Sequence, residues 1–197
     1  MASYLQDRNF TDYIHKNLAL PKIYTPIDWK QVDLETAYAK KIDMQQGIDY
    51  IFKDNKNNLK TVQERFREVK YQNYSDFTIR YRRDRNIYQN RHQSEYYKIK
   101  ADYFVYGITN CFKNGLNKCT DFIKYAVIDL KKVYEKIDTG DIIIKDNDKN
   151  ICVLENNKIV CPVKYNRDGS SSFFPIEIAF LVQLWGKEIV VSQKGFI

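Results

Sequence analysis

Gly47-Ile48-Asp49-Tyr50-Ile51-Phe52, then a polar turn, then Leu59 to Arg67 with Thr61-Val62-Gln63-Glu64-Arg65 at its centre: the fold is decided in this stretch. Ile48 to Phe52 is short and apolar and reads as a strand. Asp54-Asn55-Lys56-Asn57-Asn58 consists of residues that accept tight backbone turns. From Leu59 to Arg67 the pattern alternates. Val62, Glu64 and Phe66 point one way, while Thr61, Gln63, Arg65 and Arg67 point the other. The two runs therefore form an antiparallel hairpin. Gly47 stands where a left-handed residue ends a preceding helix.

Working towards the N-terminus, Asp28 is positioned to cap a helix over about Trp29–Gln45, and residues 20–26 read as a connector after a short helix over 9–18. Towards the C-terminus, Phe77–Tyr81 supplies a third strand, so the expected unit is an antiparallel meander following a helix. Residues 84–98 read as a loop or short helix, and Ala101–Gly107 as a buried strand. A strand ending near Ala126 and a helix from Asp129 to Ile137 come next. Strands are expected at 141–145, 151–154 and 158–164, the last two joined by the Glu155-Asn156-Asn157-Lys158 turn. Phe174–Trp185 reads as a buried helix opened by Pro175, with an edge strand over 188–192. The expectation is a single α/β domain over residues 1–197, with a mixed sheet flanked by helices.

The composition fits this: 197 residues, 44% hydrophobic and 15% aromatic, enough for one core and unlike a disordered chain. The net charge is +7 and unevenly placed. Residues 60–100 carry eleven Lys or Arg against five acids, so nearly all the excess lies in a fifth of the chain. Seven of the eleven are Arg and six Tyr are interleaved. Guanidinium groups pair with phosphate in a two-pronged fork, so this segment is the expected nucleic-acid contact. Arg67, Arg80, Arg82, Arg83, Arg85 and Arg91 are its candidates.

The quoted hairpin resembles the active-site hairpin of the PD-(D/E)XK (restriction-endonuclease-like) nuclease superfamily. There, an acid on one strand faces a second strand bearing an acid or Gln two residues before a Lys. The phrases around Thr61–Arg67 and Lys100–Gly107 look like those of phage and bacterial members, and the likeness spans roughly residues 33–110. The resemblance implies a restriction-endonuclease-like core over about 28–110, with 111–197 as additional strands and a helix. It implies Mg²⁺ (or Mn²⁺) held by Asp49 and the Gln63 carbonyl, with Glu35 as an extra carboxylate, and Arg65 where the family usually has Lys. Glu64 is off-face by alternation and enters the catalytic set only if a bulge turns it inward. The expected activity is endonucleolytic hydrolysis of DNA, duplex by preference. Gln in place of an acid and Arg in place of Lys also permit a second reading, a catalytically inactive DNA- or RNA-binding protein on the same fold.

Other chemistries find little support. His15 and His92 are the only histidines, without a nucleophile context, and no Gly-Lys-Ser/Thr phosphate loop is present. No run is long and apolar enough to span a bilayer, and residues 1–10 lack an apolar leader, so a cytoplasmic location with no membrane partner is expected. Cys111, Cys119, Cys152 and Cys161 are then expected as reduced thiols. The apolar 173–185 run is a buried core helix on the first reading and a homodimer interface on the second.

Overall fold

The computed structural model describes residues 4–82, 94–145, 150–167 and 171–197. Arg83, Arg85 and Arg91 lie outside these residues. The element order is α1 (Tyr4–Ile14), β1 (Lys30–Gln31), α2 (Thr36–Gln46), β2 (Tyr50–Lys53), β3 (Leu59–Arg67), β4 (Asp76–Arg82), α3 (Glu95–Lys98), β5 (Tyr103–Thr109), β6 (Phe122–Asp129) and α4 (Leu130–Asp138). Then follow β7 (Ile142–Ile144), β8 (Val153–Glu155), β9 (Lys158–Cys161), β10 (Lys164–Tyr165), β11 (Ser172–Glu177), α5 (Ile178–Trp185) and β12 (Val190–Lys194).

The main sheet has six strands in the order β1-β2-β3-β5-β6-β12. The β3–β5 pair is parallel and the other pairs are antiparallel, so the chain is mixed α/β with a mixed sheet flanked by helices. The β2–β3 turn forms as its residues dictate. Asp54 Oδ1 accepts the N–H groups of Lys56 and Asn58 at 2.9 and 2.8 Å, and Asn57 takes φ +62°. The start of β5 is locked to β3 through Asp102. Its Oδ2 accepts from Thr61 N and Thr61 Oγ1 at 2.9 and 2.8 Å, and its own N–H returns a 2.9 Å bond to Thr61 Oγ1.

Each face of this sheet carries its own core. On one side Val62, Phe66 and Val105 pack against Phe10, Ile14, Leu18, Ile23 and Tyr24. These come from α1 and the wide π-helical segment His15–Tyr24 that continues it. On the other side Phe104 and Ile108 meet Phe77 and Ile79 of β4, Phe174 and Ile176 of β11, Ile178 and Leu181 of α5, and Val133 of α4.

Five expectations need correction. The meander does not close, because β4 leaves β3 and pairs with β11 in a separate sheet ordered β10-β11-β4. The helix expected over 29–45 begins only at Thr36, since Lys30 and Gln31 pair with Lys53 and Phe52. Residues 20–26 are helical rather than a plain connector. Phe174–Glu177 is strand and only Ile178–Trp185 is helix. That run is buried within the chain itself, with Phe174, Ile176, Ile178 and Leu181 at 0% exposure. Cys111 and Cys119, eight residues apart, are joined in a disulfide, which corrects the expectation of free thiols for that pair. Cys152 and Cys161 remain thiols, 3.9 Å apart across β8 and β9.

Candidate active site on the second and third strands

Asp49 reaches its position through the turn at Gly47, whose φ of +59° and N–H bond to Asp43 O close α2. The Asp49 N–H donates to Val62 O at 2.8 Å. The β2–β3 ladder begins with Tyr50 opposite Val62, so Asp49 stands opposite Gln63, one step beyond it. The Glu64 N–H there has no strand partner from β2, and Asp49 Oδ2 accepts it at 2.7 Å. Burial is the largest influence on this carboxyl and raises it to about 7. The Glu64 N–H opposes that rise, the Asp43 and Glu64 carboxylates add to it, and Arg65 pulls against it.

Gln63 and Arg65 share a face of β3 and meet one residue that the sequence reading did not select, Glu95. Gln63 Nε2 donates to Glu95 Oε1 at 3.1 Å, and Arg65 Nη2 forms an ion pair with the same oxygen. Glu95 Oε2 accepts the Arg80 N–H at 2.7 Å. Arg65 Nη1 donates to Thr78 O at 2.5 Å, and its guanidinium lies 5.4 Å from the centre of the Phe104 ring. Gln63 Oε1 is buried and has no hydrogen-bond partner among the described residues. The signal for Glu95 was Ser94-Glu95 opening a helix just after the arginine-rich segment. By composition alone it is one of the five acids of residues 60–100.

Glu64 points to the opposite face, and the β3 register with β5 runs unbroken through it, so no bulge turns it. It is 7% exposed. His15 Nδ1 lies 2.9 and 3.0 Å from its two oxygens, and Tyr24 OH donates to Oε1 at 2.5 Å. His15 stacks on Tyr50 at 3.5 Å between ring centres, and its Nε2 is 3.2 Å from Gln31 Oε1. Burial works against a charge on His15, but the Glu64 hydrogen bond and charge, with Gln31, outweigh it and raise its pKa. This is a buried ion pair with every oxygen engaged, a structural role. Glu35 is exposed at the N-cap of α2. The helix residue that borders the cleft beside Asp49 is instead Asp43.

Two clefts border these residues. One of about 520 Å³ opens beside Asp49 and is acidic, with Asp7, Asp12, Asp33, Asp43 and Glu64 around it. The other, of about 790 Å³, lies between β3 and the β4–β11 pair and carries Arg65, Arg67, Arg80 and Lys164. The sequence-expected phosphate contacts Arg67 and Arg80 thus share one cleft with Arg65, whereas the Arg82 guanidinium lies 4.6 Å over the ring of Tyr81. Among the described residues no group of three His, Cys, Asp or Glu side chains is arranged to hold a metal ion, and no helix is long and apolar enough to cross a membrane. No protein-family model, curated protein or solved structure matches this chain.

Proposed function

We propose that this protein is a divalent-metal-dependent endonuclease acting on DNA phosphodiester bonds, with a restriction-endonuclease-like arrangement at β2 and β3. The observation that carries the reading is that Asp49 stands opposite Gln63 at the end of the β2–β3 hairpin, with Arg65 two residues further along β3 at the edge of a cationic cleft. For Mg²⁺ or Mn²⁺, the fit rests on Gln63 Oε1, a buried carbonyl oxygen without a partner among the described residues, on the residue that stands across the hairpin from Asp49. Both side chains offer oxygen donors of the kind a hard cation takes. Asp49 and Gln63 would hold the ion, which supplies a lowered water pKa and charge compensation on the phosphate. Arg65 would stabilise the same developing charge once a phosphate oxygen replaces Glu95 as its partner. Arg67 and Arg80 would position the strand.

A second reading, nucleic-acid binding without cleavage, is favoured by the Arg65–Glu95 ion pair, which already neutralises the proposed catalytic cation. One assay separates the two: cleavage of linear and supercoiled DNA with Mg²⁺ or Mn²⁺, wild type beside Asp49→Ala. The nuclease reading expects metal-dependent cutting that disappears in the variant while binding persists. Binding without cutting in both proteins overturns it in favour of the second.

A further inference from the structure

The 790 Å³ cleft has a composition that simple backbone contact does not require. Arg67 is half-buried on β3 with its guanidinium 5.3 Å over the ring of Tyr71. Among the described residues its guanidinium has no hydrogen bond and no ion pair, and the charge of Arg65 on the same strand face acts against its own. A guanidinium drawn out of water beside another cation, with the Glu95 and Asp76 carboxylates acting on it only through space and none in ion-pair contact, is poised for an anionic ligand. Lys164 faces the same space, and its ammonium has no hydrogen bond or ion pair among the described residues.

The remaining walls are not cationic. Tyr71 and Tyr74 stand with ring centres 5.9 Å apart, and Tyr74 is 56% exposed at the mouth. Opposite them Asp76 and Glu177 face each other across the β4–β11 ladder. Burial holds both carboxyls above their ordinary range, so both gain from a ligand that donates hydrogen bonds. An inorganic anion would use the arginine and leave the carboxylates opposed to it. A duplex, about 20 Å across on the groove widths and depths of B-form DNA, does not enter a space of this volume.

We propose that this cleft is a nucleotide pocket: it receives one unpaired nucleotide, with phosphate on Arg67 and Lys164, base against Tyr71 and Tyr74, and an exocyclic amino group on Asp76 and Glu177. The inference rests on the nuclease reading for the expectation that the nucleotide belongs to a DNA strand. The pocket chemistry is the same for a free nucleoside monophosphate. Thymine, which has no amino group, lacks the third contact.

The test is fluorescence anisotropy with labelled ten-residue oligo(dC), oligo(dT) and a duplex, without metal, on wild type, Arg67→Ala, Tyr74→Ala and Asp49→Ala. The expected order is oligo(dC) tighter than oligo(dT), and both tighter than the duplex. Arg67→Ala and Tyr74→Ala each weaken oligo(dC) about tenfold or more, the scale of one stacking or phosphate contact. Tyr74 is exposed, so its variant reports on binding without a folding defect. Deoxycytidine monophosphate competing where inorganic phosphate does not would assign the pocket to the nucleotide unit, and no competition by either would tie it to the strand. Equal affinity for dC and dT, or oligo(dC) binding unchanged in both cleft variants, overturns the proposal. Asp49→Ala keeps oligo(dC) binding whether or not the protein cuts DNA, so failure of the pocket and failure of the nuclease are read separately.

Discussion

At the scale of single residues, Asp49 is costly to the fold. Its carboxyl sits near 7 because burial disfavours the charge. A group whose folded pKa is raised loses stability as pH climbs from its unfolded value near 3.8 through the folded one. Asp49→Asn keeps an oxygen for the Glu64 N–H and removes that penalty. Urea unfolding at pH 8 should show the variant more stable by an amount on the order of a few kcal/mol, with the gain shrinking towards pH 4, while metal-dependent cleavage is lost. A variant no more stable at pH 8 would mean Asp49 carries no such strain. Glu64 behaves oppositely. Glu64→Gln leaves His15 without its counter-charge and should cost about 3–5 kcal/mol, with the His15 pKa falling on NMR titration. The raised His15 pKa acts with Asp49. Its contribution is full below about 6.5 and fades as pH rises through the folded value, so wild type should unfold at lower urea at pH 8 than at pH 6. The face of Glu64 was legible in the sequence, because strand parity alone puts it opposite Gln63. Its partners were not, since His15 and Tyr24 lie 49 and 40 residues away in a segment with no period that points at a strand.

At the scale of elements, local pattern and partner choice part company. The limits of β3 and the turn before it follow from alternation and from Asn and Asp chemistry. Parity cannot say which strand lies alongside, so β4 was assigned to β3 when its ladder is with β11. Pro175 concealed β11, since proline argues against a central strand. The structure resolves this locally. The β10 register reaches only to Phe173, so at Pro175 the strand has a neighbour on one side alone, Thr78 of β4. The helix expected over 29–45 failed in its first turns for a related reason, because Lys30 and Gln31 pair with Lys53 and Phe52 of β2, a partner that local pattern does not name. A test at this scale is Gly107→Ala in β5. A Cβ there would lie 2.7 and 2.9 Å from two atoms of the Phe122 ring and 3.1 Å from Phe66. We expect a loss of about 1–3 kcal/mol in chemical denaturation from this overpacking, with no change at the opposite face, where Gln63 and Arg65 stand. A neutral substitution would mean that Phe122 yields freely.

For the whole molecule, the charge of +7 is a statement about binding more than about folding. Four cations, Arg65, Arg67, Arg80 and Lys164, line the cleft. If all four meet phosphates of one strand, log affinity should fall against log salt with a slope of about −3. Arg67→Ala should reduce that slope by about 0.7. A flat salt response would exclude backbone contact by this cleft.

The β4–β11 ladder joins residues 76–82 to residues 172–177, and this sets an order of events during synthesis. All of the proposed catalytic side chains leave the ribosome well before the strand that completes their surroundings. Until Ser172–Glu177 is made, β4 has no ladder partner and the Phe77 and Ile79 side chains have no cover from β11. A nascent chain stalled before that point therefore exposes a ready template for intermolecular pairing, and the clefted surface comes into being only once residues 172–177 fold onto it.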